Sequence, residues 1–178
     1  MANVAENVVV GSTGGVYFGP IGTALPADID EPLNVALVEV GYITEAGLTQ
    51  SETESLTKIK AWQNADVVRI IQTEHSATFK FVMQETNPNS LALFYGSNYA
   101  AGQVSIKAGQ KVHSAFVIEV EDGDNHIRYT IADGQVVERG DLVYVNGEAV
   151  GYPVTIECFP DVNGDKALVY YGTATVSA

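Results

Sequence analysis

Apolar side chains recur at every second position along much of this chain, and that spacing admits little besides antiparallel sheet. Phe79, Phe81 and Met83 fall on one face of an extended segment, with Lys80 and Gln84 on the other. Phe116, Ile118 and Val120 alternate with Val117, Glu119 and Glu121, and Ile127, Tyr129 and Ile131 alternate with His126, Arg128 and Thr130. Val154, Ile156 and Cys158 repeat the pattern. Successive strand side chains point to opposite faces, so alternation over four to eight residues specifies a half-buried strand. Between the runs stand Asp122-Gly123, Asp133-Gly134, Asn146-Gly147 and Asn163-Gly164. These pairs tolerate the positive φ that tight hairpin turns require. Their spacing of roughly 11 to 17 residues predicts an antiparallel meander from about Val104 to Tyr171 rather than βαβ units.

One segment departs from this period. In Asn87-Pro88-Asn89-Ser90-Leu91-Ala92-Leu93-Phe94-Tyr95-Gly96, Asn87 suits a helix N-cap, Pro88 the first helical position and Gly96 a left-handed stop. Leu91, Phe94 and Tyr95 share one helical face. A helix this short needs a sheet to pack on. The first third is looser. Gly11 to Gly15 reads as a flexible linker and Val16 to Phe18 as a short strand. Pro20 to Pro32 reads as an extended loop and Val35 to Ile43 as a strand. Thr44 to Ser55 is polar and acidic, and is expected to form a long exposed loop or the tip of a long hairpin. β character returns over Leu56 to Ile71, around Trp62.

The 178 residues suit one domain, 1–178, with an N-terminal arm (1–15), a long loop (44–55) and a short C-terminal tail (173–178). Nine Lys and Arg stand against 22 Asp and Glu, for a net charge of −13. That balance opposes stable nucleic-acid binding, which needs a basic face, and docking on an anionic membrane. Cys158 is the only cysteine, so neither an internal disulfide nor a cysteine-based zinc cluster can form. No run reaches the roughly 18 apolar residues of a membrane span, and Met1 to Val10 lacks a basic, apolar leader pattern. The expectation is a soluble protein made in a reducing compartment.

No catalytic motif is present, and neither a catalytic residue, a cofactor nor a metal is expected. His75, His113 and His126 read as separate, solvent-facing strand residues. Asp161 to Asp165 reads as a hairpin turn rather than a calcium loop, since the closing glutamate is missing. Glu119, Glu121, Asp122 and Asp124 read as a solvated acidic rim. Trp62, Tyr95 and Tyr99 read as core packing around the helix. An acidic β-protein without an active site is most naturally a building block, whose open sheet edges are closed by assembly.

Gly15-Val16-Tyr17-Phe18-Gly19-Pro20 and Gly22-Thr23-Ala24-Leu25-Pro26 resemble the start of major tail tube proteins of long-tailed, non-contractile (siphovirus-type) bacteriophages, most strongly those of actinobacterial phages. The resemblance continues through Val40 to Ile43, Ile59 to Gln63 and Gln72 to Phe81, and on through Glu85-Thr86-Asn87 to Tyr95-Gly96. It implies the tail tube fold, a mainly β antiparallel sandwich or barrel with one flanking helix. It further implies six subunits whose sheets close into a ring-shaped β-barrel, stacked into a tube that conducts DNA. Implied partners are other copies of the chain, a tape-measure protein and tail-tip and terminator proteins, with assembly in the host cytoplasm. On that basis Glu74, Glu119 and Glu121 are candidates to face the lumen, and Glu45, Gln50, Glu52 and Glu54 to lie in the ring-stacking loop. The arm (1–15) and the tail (173–178) are expected to pack on neighbours. Rival readings are a carbohydrate- or receptor-binding β-sandwich and an enzyme dependent on Glu119 or Asp122.

Overall fold

Eight strands and one helix build the domain, in a computed structural model that describes residues 8–97, 99–109 and 112–173. The strands are β1 (Thr13–Pro20), β2 (Val38–Glu39), β3 (Ile43–Lys60), β4 (Val67–Met83), β5 (His113–Asp122), β6 (Asn125–Arg139), β7 (Tyr152–Phe159) and β8 (Leu168–Thr173). Helix α1 (Pro88–Tyr95) follows β4. All pairings are antiparallel, in the order β2-β1-β5-β6-β7-β4-β3, with β8 on β6.

β6 belongs to two layers. One edge pairs with β5. The other pairs with β8 over Asn125 to Thr130 and with β7 over Asp133 to Arg139. The chain thereby makes one layer of β2, β1, β5, the first half of β6 and β8, and a second of the rest of β6 with β7, β4 and β3. Their facing sides enclose Phe79, Phe81, Met83, Phe116, Ile118, Ile131, Val154, Ile156 and Cys158, all buried. The Phe79 ring meets Tyr129 edge-on across the gap, at 5.2 Å between centroids. The period-two residues of β4, β5 and β7 therefore form the core.

Asp133-Gly134 is not a turn. Both residues are paired within β6, where the strand passes from one layer to the other. A Cβ on Gly134 would stand 2.8 Å from the Phe116 side chain and 3.2 Å from Ile156, so glycine serves close packing there, not positive φ. Asp122-Gly123 does join β5 to β6, and Asn163-Gly164 joins β7 to β8. Nor is Gly11 to Gly15 a linker through its length, because Gly14 and Gly15 pair with Val120 and Glu119. A Cβ on Gly14 would lie 2.2 Å from the Glu119 carbonyl oxygen, so the glycine allows β1 to approach β5 closely. Between Val35 and Ile43 only Val38–Glu39 is strand. The meander begins at His113, later than Val104. Residues 1–7 of the expected arm and 174–178 of the expected tail lie outside the described residues.

The helix forms as its sequence dictates. The Asn87 side chain accepts from the Ser90 amide at 2.8 Å and the Ser90 hydroxyl accepts from the Asn87 amide at 3.1 Å, a reciprocal cap. Gly96 closes the end at φ 69°. Arg139 on β6 donates to the Phe94 carbonyl there, placing a cation on the helix C-terminus. Phe94 packs edge-on against Tyr152 at 5.5 Å, which seats the helix on β7.

Candidate functional site

Three surfaces carry the chemistry. The first is the outer face of the second layer. Paired residues on neighbouring strands share a face, so the register places Thr49, Ser51, Thr53 and Ser55 of β3 beside Lys80, Thr78, Ser76 and Glu74 of β4. Thr155 and Glu157 of β7 extend this face, and Glu138 of β6 stands opposite Thr155. It is exposed to half-buried and almost wholly polar. The Ser76 hydroxyl donates to Glu157 Oε1 at 3.1 Å, Thr155 to Glu138 Oε2 at 3.1 Å, and Ser55 to Glu74 Oε2 at 3.3 Å. Hydroxyls thus hold a row of carboxylates, with Lys80 as a lone cation among the residues named.

The second surface is the far half of the β3–β4 hairpin. Residues 44–55 are not a loop. Residues 44–47 form a wide bulge between Ile43↔Met83 and Leu48↔Phe81, and residues 48–55 are regular strand. The tip lies further out, where the Ala61 amide donates to the Asp66 carbonyl at 2.7 Å and Asn64 and Ala65 take positive φ. From Leu56 to Gln72 the arm has no facing layer among the described residues. Leu56, Ile59, Val67, Val68, Ile70 and Ile71 are exposed, and Trp62 is 97% exposed at the tip. The core reading of Trp62 is therefore wrong, and Tyr99 is exposed too. Tyr95 alone of the three packs by the helix, its ring 5.0 Å from Phe94. Lys58, Lys60 and Arg69 are three of the nine basic residues, so this arm is apolar and basic on an acidic chain.

The third surface is the outer side of β5 and β6. Glu119 is not part of a solvated rim. Arg128 donates to its Oε1 from Nη2 at 2.6 Å and from Nε at 2.9 Å, and Nη1 caps the carbonyls of Asp28 and Glu31 at 2.7 Å each. The loop 21–37 thereby lies over β6, burying His126, Arg128 and Thr130, the polar half of that strand's alternation. His126 is thus not solvent-facing. Burial, together with the carboxylates of Glu39, Glu119 and Glu121, pushes the nearby Tyr17 hydroxyl above its usual range. His113 lies elsewhere, with Nδ1 2.6 Å from Asp133 Oδ1.

These placements separate the candidate residues. Glu74 sits on the polar face, whereas Glu119 and Glu121 belong to the first layer. Glu45 lies in the bulge. Gln50, Glu52 and Glu54 lie on β3 opposite Phe79, Ala77 and His75, at the base of the arm, where the Gln50 amide donates to Glu52 at 3.1 Å. Sequence reasoning missed Glu138, Glu157 and the basic arm. The signal for the arm was available, as Lys58, Lys60 and Arg69, three of the nine basic residues, crowd a segment whose apolar pairs Val67-Val68 and Ile70-Ile71 break alternation. Asp161 accepts from the Asp165 and Asn163 amides at 2.9 and 2.8 Å, which closes the turn and, through the Asp165 bond foremost, lowers that carboxyl's pKa.

A family model described as "Phage tail tube protein" matches residues 1–176. A comparison with curated proteins finds no match. Among solved structures, the chain is similar to one in the PVC sheath–tube complex of an extracellular contractile injection system in its extended state. Identity there is 6% over 93% of each chain, with a TM-score of 0.47. It is also similar to a chain of the anti-feeding prophage baseplate, at 12% identity over 95% of this chain and 97% of that one, with a TM-score of 0.43.

Proposed function

Since this chain belongs to the phage tail tube protein family, we propose that six copies close into a ring and that such rings stack into the tube of a long-tailed, non-contractile phage, through which DNA leaves the virion. As a tail tube protein it is a structural component of a virion tail. The observation that carries the finer reading is the polar face of the second layer, bordered by an edge with no partner. Among the described residues β3 pairs only with β4, leaving one side of an 18-residue strand open. A long open edge is a template for pairing with another chain. Pairing it with a neighbouring copy would extend the second layer around a ring and turn its polar face toward the centre.

Such a wall suits a passing polyanion. Carboxylates at Glu74, Glu138 and Glu157 repel phosphate, and Lys80 alone makes no basic track to hold it. The proposal assigns the lumen to these three acids. Glu119 goes to Arg128, and Glu121 stays with the first layer. The arm, with Glu45, Gln50, Glu52 and Glu54 at its base, would reach the adjoining ring, its basic and apolar end docking on the acidic body of a neighbouring copy. A tape-measure protein would fill the lumen during assembly in the host cytoplasm, and tail-tip and terminator proteins would occupy the tube ends.

Electron microscopy of the purified protein at high concentration, with and without isolated tail tips, tests the reading. Hollow tubes of stacked six-fold rings are expected. A dispersed monomer in both conditions would refute it.

A further inference from the structure

His126 is 7% exposed, and neither ring nitrogen has a hydrogen-bond partner among the described residues. A buried polar atom left this way is costly, and such exceptions call for a ligand or a role. The ring is not remote from partners. Its Nε2 lies 3.9 Å from Glu121 Oε1 and 4.0 Å from Glu119 Oε1, beyond hydrogen-bond reach of both and nearly equidistant. One ligand atom from each of the three residues falls within 4.8 Å of the others. The hairpin makes this arrangement. Glu119 and Glu121 share a face of β5, and His126 stands opposite Glu121 on β6. On its other side His126 pairs with Gly172, over which the Ile29 side chain packs.

We propose that Glu119, Glu121 and His126 bind a divalent transition-metal ion of the zinc class, with solvent as a further ligand. Zinc bonds to imidazole nitrogen and carboxylate oxygen are about 2.0–2.2 Å long, which separates tetrahedral ligand atoms by about 3.4 Å. The two separations from His126 Nε2 need close by only about half an ångström to meet that geometry, and the two carboxylates, whose ligand atoms lie within 4.8 Å of each other, would close on the same ion. Arg128 offsets one of the two carboxylates, so the site presents a single net negative charge, and the imidazole selects the metal. Calcium prefers six to eight oxygens and would find too few. Glu121 is about half exposed, with 47% of its side chain reachable, so an ion can enter from that side. Bound there, it would tie β5 to β6 beside their turn. Val10 and Ser12 reach the same end, donating to Asp122 Oδ2 at 2.7 Å and to the Glu121 carbonyl at 3.0 Å.

Untagged full-length protein titrated calorimetrically with Zn²⁺, and by visible absorption with Co²⁺, tests the site. One ion per chain is expected, with Ca²⁺ giving no signal. Glu121→Gln and His126→Gln should each weaken binding about tenfold or more, while the double change His75→Gln with His113→Gln leaves it intact. If His126→Gln fails to fold, Glu121→Gln decides alone. Absence of Zn²⁺ binding would overturn the proposal. Equal binding by the variants, or loss of binding in the other double variant, would overturn it as well.

Discussion

Arg128, itself buried, holds the largely covered Glu119 carboxylate and two loop carbonyls at once, so its loss strands charge rather than simply removing a contact. Breaking a buried pair from one side typically costs about 3–5 kcal/mol, because the remaining ion stays desolvated. Arg128→Ala is expected to lose stability in that range in urea unfolding. A loss under about 1 kcal/mol would mean that Glu119 regains water and the loop 21–37 is dispensable cover. Glu85 makes a different statement. The Tyr42 amide donates to it at 2.9 Å and the Asn87 amide group at 3.0 Å, and these bonds, the Tyr42 one foremost, hold its pKa below the ordinary 4.5. A carboxylate depressed in the folded state contributes stability above its unfolded pKa, and the contribution disappears as pH falls through the folded value. The stability gap between the native protein and Glu85→Gln should therefore be fully open above the ordinary carboxylate range and close below it. A gap unchanged across acid titration would show that the two bonds do not favour the charged form.

The least self-sufficient element is the outer arm of β3 and β4. A two-stranded ribbon without a facing layer is marginal in water, and this one exposes apolar side chains on both faces. Register explains how both faces become apolar. Leu56 pairs with Gln72 and Lys58 with Ile70 on one face, while Thr57 pairs with Ile71 and Ile59 with Arg69 on the other. Trp62 is the chain's only tryptophan, so its fluorescence reports the tip without interference. Emission should be that of a solvent-exposed indole in the monomer, then shift to the blue and resist acrylamide quenching on polymerisation. A variant lacking residues 56–72 should fold, since no buried core residue lies there, and stay monomeric. Unchanged emission in formed tubes, or tubes from the shortened variant, would remove the arm from ring stacking. The short helix is the opposite case. Asn87, Ser90 and Gly96 satisfy its ends locally, which is why its limits could be read from the chain.

Across the whole molecule, charge and topology divide the labour. Acids crowd the surface while the enclosed layers are apolar, and the scarce bases are placed singly, as Arg128 and Arg139 are, or gathered on the arm. Much of this architecture is visible in the chain alone. Alternation at Phe79 to Met83, Phe116 to Val120 and Val154 to Cys158 identifies core strands, because a half-buried strand must present one apolar face. Alternation at Ile127 to Ile131 identifies a strand but misleads about its sides. A segment distant in sequence, 21–37, covers the polar face, and Arg128 supplies the hydrogen bonds that make burial there tolerable. Asp133-Gly134 misleads for a related reason, as a turn signal is local and the Phe116 and Ile156 side chains that require glycine come from other strands. Local chemistry thus determined the antiparallel class, the capped helix, the acidic character and the absence of a cysteine framework, since each depends on neighbours in the chain or on composition. Only the tertiary structure decided that β6 serves two layers, that the polar segment after Ile43 runs into an arm, and that His126 faces two carboxylates from within, because these follow from which distant strands meet and in what register.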